Sequence, residues 1–263
     1  MAKSAKAREF GIVAPFLRSA QLLTDYVVAG EFPYTLPIFA GGSLRIDFTM
    51  PITFLVGENG TGKSTLLEAI AVQCGFSRGG GSQDHRTADV GPEDTLPQAL
   101  RLAWKPKVGN GVFFRAESFF NLASYLDQTG SRRYGERDLH AMSHGEAFLG
   151  FFQHRFETSE RAIFLLDEPE AALSPSRQMA FLTLLHRWHR SSRVQAIIVT
   201  HSPIILAYPN ATILSLDKGV VHEIAYGATE HYLTYHAFLT EPERYLRHLL
   251  KENESDEQDE RGD

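Results

Sequence analysis

The feature that most restricts this chain is the run Gly57-Glu58-Asn59-Gly60-Thr61-Gly62-Lys63-Ser64, followed by Thr65, which fits the pattern G-x-x-x-x-G-K-[ST]. The apolar run Ile52-Thr53-Phe54-Leu55-Val56 precedes it and reads as a buried strand. After it, Leu66, Leu67, Ile70 and Ala71 fall on one face of a helix expected over residues 63–74. A strand, a glycine-rich turn and a helix in that order build an anion site. The glycines let the backbone wrap closely around phosphate oxygens, so that successive N–H groups point inward, and the helix N-terminus adds its positive end. In that arrangement Lys63 reaches the terminal phosphates of a nucleoside triphosphate and Ser64 ligates Mg2+.

Two more strand ends carry chemistry. Ala162-Ile163-Phe164-Leu165-Leu166 is an apolar run ending in Asp167-Glu168-Pro169. In an open α/β sheet, ligands gather at the carboxyl ends of the strands, which places this acid pair beside the glycine-rich turn. Asp167 is expected to hold the Mg2+ shell and Glu168 to polarise the attacking water. A third buried strand over residues 194–200 ends in Thr200-His201-Ser202-Pro203, where an imidazole can donate a hydrogen bond to the terminal phosphate. The catalytic candidates are therefore Lys63, Glu168 and His201.

Composition restricts the remaining classes. The chain has 263 residues with one cysteine, Cys74, so no intrachain disulfide can form and a reducing compartment, the cytoplasm, is expected. Its apolar runs fall short of the roughly 18 residues of a membrane span, and residues 1–10 are polar and basic, so neither membrane insertion nor a secretory signal is expected. The net charge of −6 equals that of residues 252–263 alone, which hold seven acids and one arginine, leaving the rest formally neutral. Bulk charge thus gives no prediction of nucleic-acid binding. The small basic cluster Arg132, Arg133 and Arg137 keeps that reading open without supporting it.

Along the chain the pattern is α/β. The start is β-rich, with apolar and polar residues alternating over 43–49. A loop rich in Gly, Ser, Asp and His over 76–95 lacks periodicity and reads as mobile. A strand is expected over 111–114, with helices over 118–127 and 144–156. A strand at 161–167, a helix at 176–189, a strand at 194–200 and a short helix at 202–207 follow. A hairpin turning at Lys218-Gly219 and two helices over 229–238 and 241–250 complete the pattern. The expected architecture is a mixed, mostly parallel sheet flanked by helices, with an N-terminal antiparallel β part and a small helical lobe at 76–156. One domain would cover residues 1–251, followed by a disordered acidic tail at 252–263.

The order and spacing of Gly57 to Ser64, Ser143-His144-Gly145-Glu146, Leu166-Asp167-Glu168-Pro169 and Thr200-His201-Ser202-Pro203 resemble the ABC-type P-loop ATPases. The likeness is stronger to their stand-alone branch, related to the ATPase heads of chromosome-maintenance and DNA-repair proteins, than to transporter subunits. Arg115-Ala116-Glu117-Ser118-Phe119-Phe120 and Asp167-Glu168-Pro169-Glu170-Ala171-Ala172-Leu173-Ser174-Pro175 look typical of a group of small bacterial ATPases in that branch. The resemblance implies ATP and Mg2+ as ligands. It also implies a homodimer with ATP at its interface, in which Ser143 and Gly145 of one copy bind the γ-phosphate held by the other. Ser143 and Glu146 also satisfy a capping box.

Glu117 stands where these ATPases carry a glutamine near the metal, and Ser174 where an aspartate is common, so this chain departs from the pattern at both places. Phe32, Tyr34 and Phe39 are candidates for stacking on adenine. Besides a stand-alone switch, the resemblance leaves open a transporter's nucleotide-binding subunit, although the 26 positions between Glu117 and Ser143 are few for the helical lobe such subunits carry. A nucleic-acid-associated switch and nonenzymatic ATP binding also stay open. Nothing in the sequence names a protein partner.

Overall fold

The structure, a computed structural model, describes residues 12–80, 95–115, 144–158 and 160–259. In chain order the strands are β1 (Leu17–Leu22), β2 (Arg45–Asp47), β3 (Ile52–Val56), β4 (Leu100–Trp104), β5 (Gly111–Arg115), β6 (Ala162–Asp167), β7 (Val194–Val199), β8 (Thr212–Ser215) and β9 (His222–Glu223). The helices are α1 (Pro37–Ala40), α2 (Lys63–Gln73), α3 (Thr95–Ala99), α4 (His144–Thr158), α5 (Pro175–Ser191), α6 (Pro203–Leu206), α7 (Glu230–Thr240) and α8 (Pro242–Asp259).

The strands form two sheets. A six-stranded sheet runs β5-β6-β7-β3-β8-β9 and is parallel except for the β8–β9 hairpin. A smaller antiparallel sheet runs β2-β1-β4. Every residue of β3, β6 and β7 is buried, as continuous apolar runs covered on both faces require.

Alternation divides the core. On one face Leu55, Ile163, Leu165, Ile197 and Val199 join Leu66, Leu67 and Ile70 of α2, together with the antiparallel sheet. On the other, Phe114 and Phe164 meet Phe148 and Phe152 of α4 and Phe181 and Trp188 of α5 in a continuous cluster of edge-to-face and tilted ring pairs. Centroid separations in that cluster run from 4.8 Å for Phe148–Phe152 to 6.0 Å for Phe114–Phe152. Cys74 lies in the first core, where burial pushes its thiol up to about 12.

One buried amide joins the two sheets. Gln195, at the start of β7, is fully buried. Its Oε1 accepts from the backbone N–H groups of Phe16 and Leu17, each at 2.7 Å, and its Nε2 donates to the Leu17 carbonyl at 2.9 Å.

The chain divides into two compact units, Met1–Glu223 and Ile224–Asp263. The first holds both sheets. In the second, Thr229 caps α7 by accepting from the Tyr232 N–H, and Tyr232 stacks on His236 at 5.3 Å.

Three expectations need correction. The span 76–156 is not a helical lobe throughout: Leu100–Trp104 is the edge strand paired with β1, while Gly111–Arg115 is the strand expected over 111–114 and joins the large sheet. The reason is pairing, because a strand added beside β1 buries Leu100 and gives its backbone partners that a helix there would not need. Second, α8 continues to Asp259, into the acidic segment expected to be disordered, through Glu and Gln residues of good helix propensity. Third, β1, α1 and α3 have no counterpart in the sequence pattern. Of the loop expected over 76–95, residues 81–94 lie outside the described residues, as does the helix expected over 118–127. Among the described residues, no helix is long and apolar enough to cross a membrane.

Replacing Gln195 with Leu removes three hydrogen bonds and leaves two buried N–H groups unpaired. We expect a loss of about 3 kcal/mol, read by urea denaturation as a lower midpoint with unchanged slope.

Candidate functional site

The site follows from the register of the parallel strands. Leu55 pairs with Val199, Val199 with Asp167, and Asp167 with Arg115, so β7, β6 and β5 end on one row and β3 ends one residue beyond it, at Val56. The residues leaving that row are Gly57, Thr200 and Glu168. The glycine-rich turn, the acid pair and the histidine therefore emerge side by side from strands far apart in sequence.

Gly57, Gly60 and Gly62 of the turn have positive φ angles of 142°, 80° and 106°. At Gly62 a Cβ would also lie 2.7 Å from Cγ2 of Ile38 and, at Gly57, 2.8 Å from Oδ1 of Asp217, so the turn is closed against its neighbours at both ends. Lys63 opens α2 and is buried, its Nζ donating to the carbonyls of Gly57 at 2.6 Å and Glu58 at 2.7 Å. Burial lowers the pKa of this ammonium, and the nearby carboxylates of Asp217, Glu168 and Asp167 oppose that shift.

Ser64 Oγ donates to Asp167 Oδ1 at 2.9 Å across 103 positions of sequence. A hydroxyl and a carboxylate meeting at a helix N-terminus are hard oxygen donors of the kind Mg2+ takes, so the residues present fit that ion. Mg2+ is usually held by one or two carboxylates, substrate phosphates and water, and the Ser64–Asp167 pair offers one such carboxylate. Arg115 reaches the same place from β5, with Nε 3.8 Å from Asp167 Oδ2 and Nη1 donating to Glu68 at 2.8 Å.

Glu168 has φ 50° and ψ 56°, a left-handed conformation that costs a residue with a side chain about 1 kcal/mol. Its N–H donates to the Val199 carbonyl at 3.0 Å, which fixes that turn against β7. Its carboxylate, 48% exposed, lies 3.7 Å from Nε2 of His201, which is 29% exposed, so both groups remain open to a reactant.

Around this centre the structure adds residues that sequence reasoning missed. Glu170 accepts from the His201 N–H at 2.6 Å and from Thr200 Oγ1 at 2.8 Å. Burial raises its pKa, while those two hydrogen bonds pull it down. Asp217 accepts from the Glu58 N–H at 2.8 Å and from Ser215 Oγ at 2.7 Å, tying the first turn of the glycine loop to the end of β8. Both are acids in turns, and their roles depend on contacts across more than 25 positions. The only local hint was the second glutamate of Glu168-Pro169-Glu170.

Gly145 lies in the first turn of α4, on the sheet face opposite α2, and Glu146 beside it pairs with Arg177 at 2.8 Å. Ser143 and Glu117 lie outside the described residues, as do Arg132, Arg133 and Arg137. Ser174 is exposed and stands just before α5, its carbonyl accepting from the N–H groups of Arg177 and Gln178. Of the three aromatic candidates, Tyr34 and Phe39 are buried in the core. Phe32 is 72% exposed and lines a cleft of about 480 Å³ with Pro33, Thr65, Glu68, Arg78 and Arg115.

Comparison with known proteins agrees with this geometry. Residues 38–99 match the family model of an AAA domain, and residues 96–207 match one described as "AAA domain, putative AbiEii toxin, Type IV TA system". The thiamine import ATP-binding protein ThiQ of Brucella abortus is 28% identical over 201 residues, covering 70% of this chain and 83% of ThiQ. The molybdenum import ATP-binding protein ModC of Bordetella pertussis is 28% identical over 207 residues, covering 67% of this chain and 53% of ModC. Among solved structures, cbiO1 of Clostridium perfringens, part of the ABC transporter complex cbiONQ, superposes with a TM-score of 0.49 at 16% identity, covering 89% of this chain and 99% of that one.

The two adjoining matches define the class: the chain is a P-loop ATPase with an AAA domain over residues 38–207. It binds and hydrolyses ATP.

Replacing Asp217 with Asn weakens the tether on Glu58 and removes a charge that favours the Lys63 ammonium. We expect the KM for ATP to rise about tenfold with kcat within about twofold, read by phosphate release across ATP concentrations.

Proposed function

We propose that the protein is an ATP-driven switch in which two copies close around two ATP molecules and open after hydrolysis. The observation that carries this reading is the 2.9 Å contact of Ser64 with Asp167, set beside Lys63 on one side and the Glu168–His201 pair on the other. N–H groups of the glycine turn and of the first turn of α2, other than that of Glu58, take up the phosphates, and Lys63 turns from its carbonyl partners to the β- and γ-phosphates. Ser64 and Asp167, with Glu117, would hold Mg2+, which would neutralise negative charge on the phosphates. Glu168 accepts a proton from the attacking water as its oxygen bonds to the γ-phosphorus, and the bond to the ADP oxygen breaks. His201 donates a hydrogen bond to the γ-phosphate oxygens, and Phe32 stacks on the adenine ring. Ser143 and Gly145 of the second copy complete each site, which makes closure dependent on the γ-phosphate. In this reading the protein works in the cytoplasm.

A second reading has a specific observation behind it. ThiQ and ModC are named as import ATP-binding proteins, which favours a subunit that drives a separate membrane protein. Co-purification with a polytopic membrane protein would establish that role in place of the stand-alone switch.

The test is Glu168→Gln. Losing the general base lowers turnover about 10²–10⁴-fold while ATP binding persists, and an ATP-dependent dimer accumulates in light scattering with size exclusion. A protein that stays monomeric with ATP and Mg2+ overturns the dimer, and unchanged turnover overturns the assignment of Glu168.

A further inference from the structure

We propose that Glu170 is a positioning residue for hydrolysis: it holds the loop carrying His201 so that the imidazole faces Glu168, and it acts on turnover through His201. The inference rests on the roles proposed above for Glu168 and His201.

Both carboxylate oxygens of Glu170 are used on one loop. Oε1 accepts the His201 N–H at 2.6 Å and Oε2 accepts the Thr200 hydroxyl at 2.8 Å. Thr200 is fully buried, and its Oγ1 in turn accepts the Ser202 N–H at 3.1 Å. Three consecutive residues of the His201 loop are thus ordered from one carboxylate. Glu170 itself lies in the short 3-10 turn Pro169–Ala172, directly after Glu168. The Glu168 N–H bond to the Val199 carbonyl adds a third tie between the two turns. A fourth is indirect: Ser202 Oγ donates to Gln178 Oε1, and Gln178 Nε2 donates to the Leu173 carbonyl at 3.0 Å.

The geometry explains why the residue is an acid. The loop presents two donors in adjacent positions, an N–H and an O–H, and a carboxylate offers an acceptor to each. An amide offers one acceptor and turns its NH2 toward the other donor. The contact it positions is loose, with His201 Nε2 3.7 Å from Glu168 Oε1, beyond hydrogen-bond distance, so that contact alone does not fix the imidazole. Displacement of a reacting group by about 1 Å costs on the order of 10²-fold in rate, so a device that holds the loop acts on kcat.

The experiment is a double-mutant cycle on steady-state phosphate release at saturating ATP, with the wild type, Glu170→Ala, His201→Ala and the double variant. Glu170→Ala is expected to lower kcat about 30-fold with KM within about threefold, and Glu170→Gln about fivefold. In the His201→Ala background the same Glu170 substitution is expected to cost less than about threefold, because the group it positions is gone. A full 30-fold loss in that background overturns the inference, as does a Glu170→Ala protein with normal kcat. If His201→Ala alone leaves kcat unchanged, the role of His201 itself fails, an outcome distinct from full additivity. Should Glu170→Ala not fold by thermal melting, the cycle is run with Glu170→Gln and read for the same loss of additivity.

Discussion

Strand register is the constraint on which the rest depends. Leu55, Val199, Asp167 and Arg115 share one row through parallel pairing, and a one-residue slip of any strand would turn its side chains to the other face. The slip is prevented because both faces are specified. Ile163, Leu165, Ile197 and Val199 belong to the core beneath α2, and Phe114 and Phe164 belong to the aromatic layer beneath α4 and α5. The row therefore needs no separate device to align it: the same alternation that fills two cores brings Gly57, Glu168 and Thr200 out together.

Electrostatics then sets the terms for the ligand. Asp167, Glu168 and Asp217 all lie close enough to Lys63 to favour its charged form, yet burial outweighs them and lowers its pKa. Nucleotide phosphates entering beside these acids would meet repulsion unless positive charge were supplied from elsewhere. The sources among the described residues include N–H groups of the glycine turn, the start of α2, Lys63 and Arg115, and the Ser64–Asp167 pair suits a divalent cation that would offset the rest. Asp217 spends part of its charge on the Glu58 N–H and the Ser215 hydroxyl, and Glu170 spends its charge on Thr200 and His201, so these two acids shape loops more than they repel phosphate.

What could be read from the sequence was what is encoded locally. Gly57 to Ser64 announces its backbone through glycines at positions that take positive φ, and strands β3, β6 and β7 announce themselves as short apolar runs closed by polar turns. Helix α5 was legible from its apolar spacing, and the hairpin from Lys218-Gly219, both of which take positive φ. What stayed hidden depends on pairing at long range. Strand β1 carries a register shift between Leu17 and Ser19 that breaks its alternation, and β4 is recognisable only beside β1. Gln195 is a polar residue in an otherwise apolar strand, and only the arrival of Phe16 and Leu17, distant in sequence, turns it into a joint. Tyr34 and Phe39 looked as suitable as Phe32 for stacking until burial separated them.

The acid pair and the start of α4 are mechanically in series, and the strength of each link can be ranked. Glu168 leads into the Pro169–Ala172 turn, that turn leads into α5, and α5 meets α4. At the head of the two helices stands the Arg177–Glu146 pair, at 2.8 Å but with side chains 30% and 45% exposed, a contact worth between zero and about 1 kcal/mol. Below it Phe181 of α5 meets Phe148 of α4 at 5.5 Å, and Trp188 meets Phe152 at 5.8 Å, all four rings fully buried. Pairs of this kind add about 0.5–1.5 kcal/mol each beyond the area they bury, and burial of the rings contributes several times more. The aromatic layer therefore dominates the connection. Any shift of the Glu168 turn would move α4, and with it Gly145, as one packed body, while the surface ion pair fixes only the local angle at the helix start.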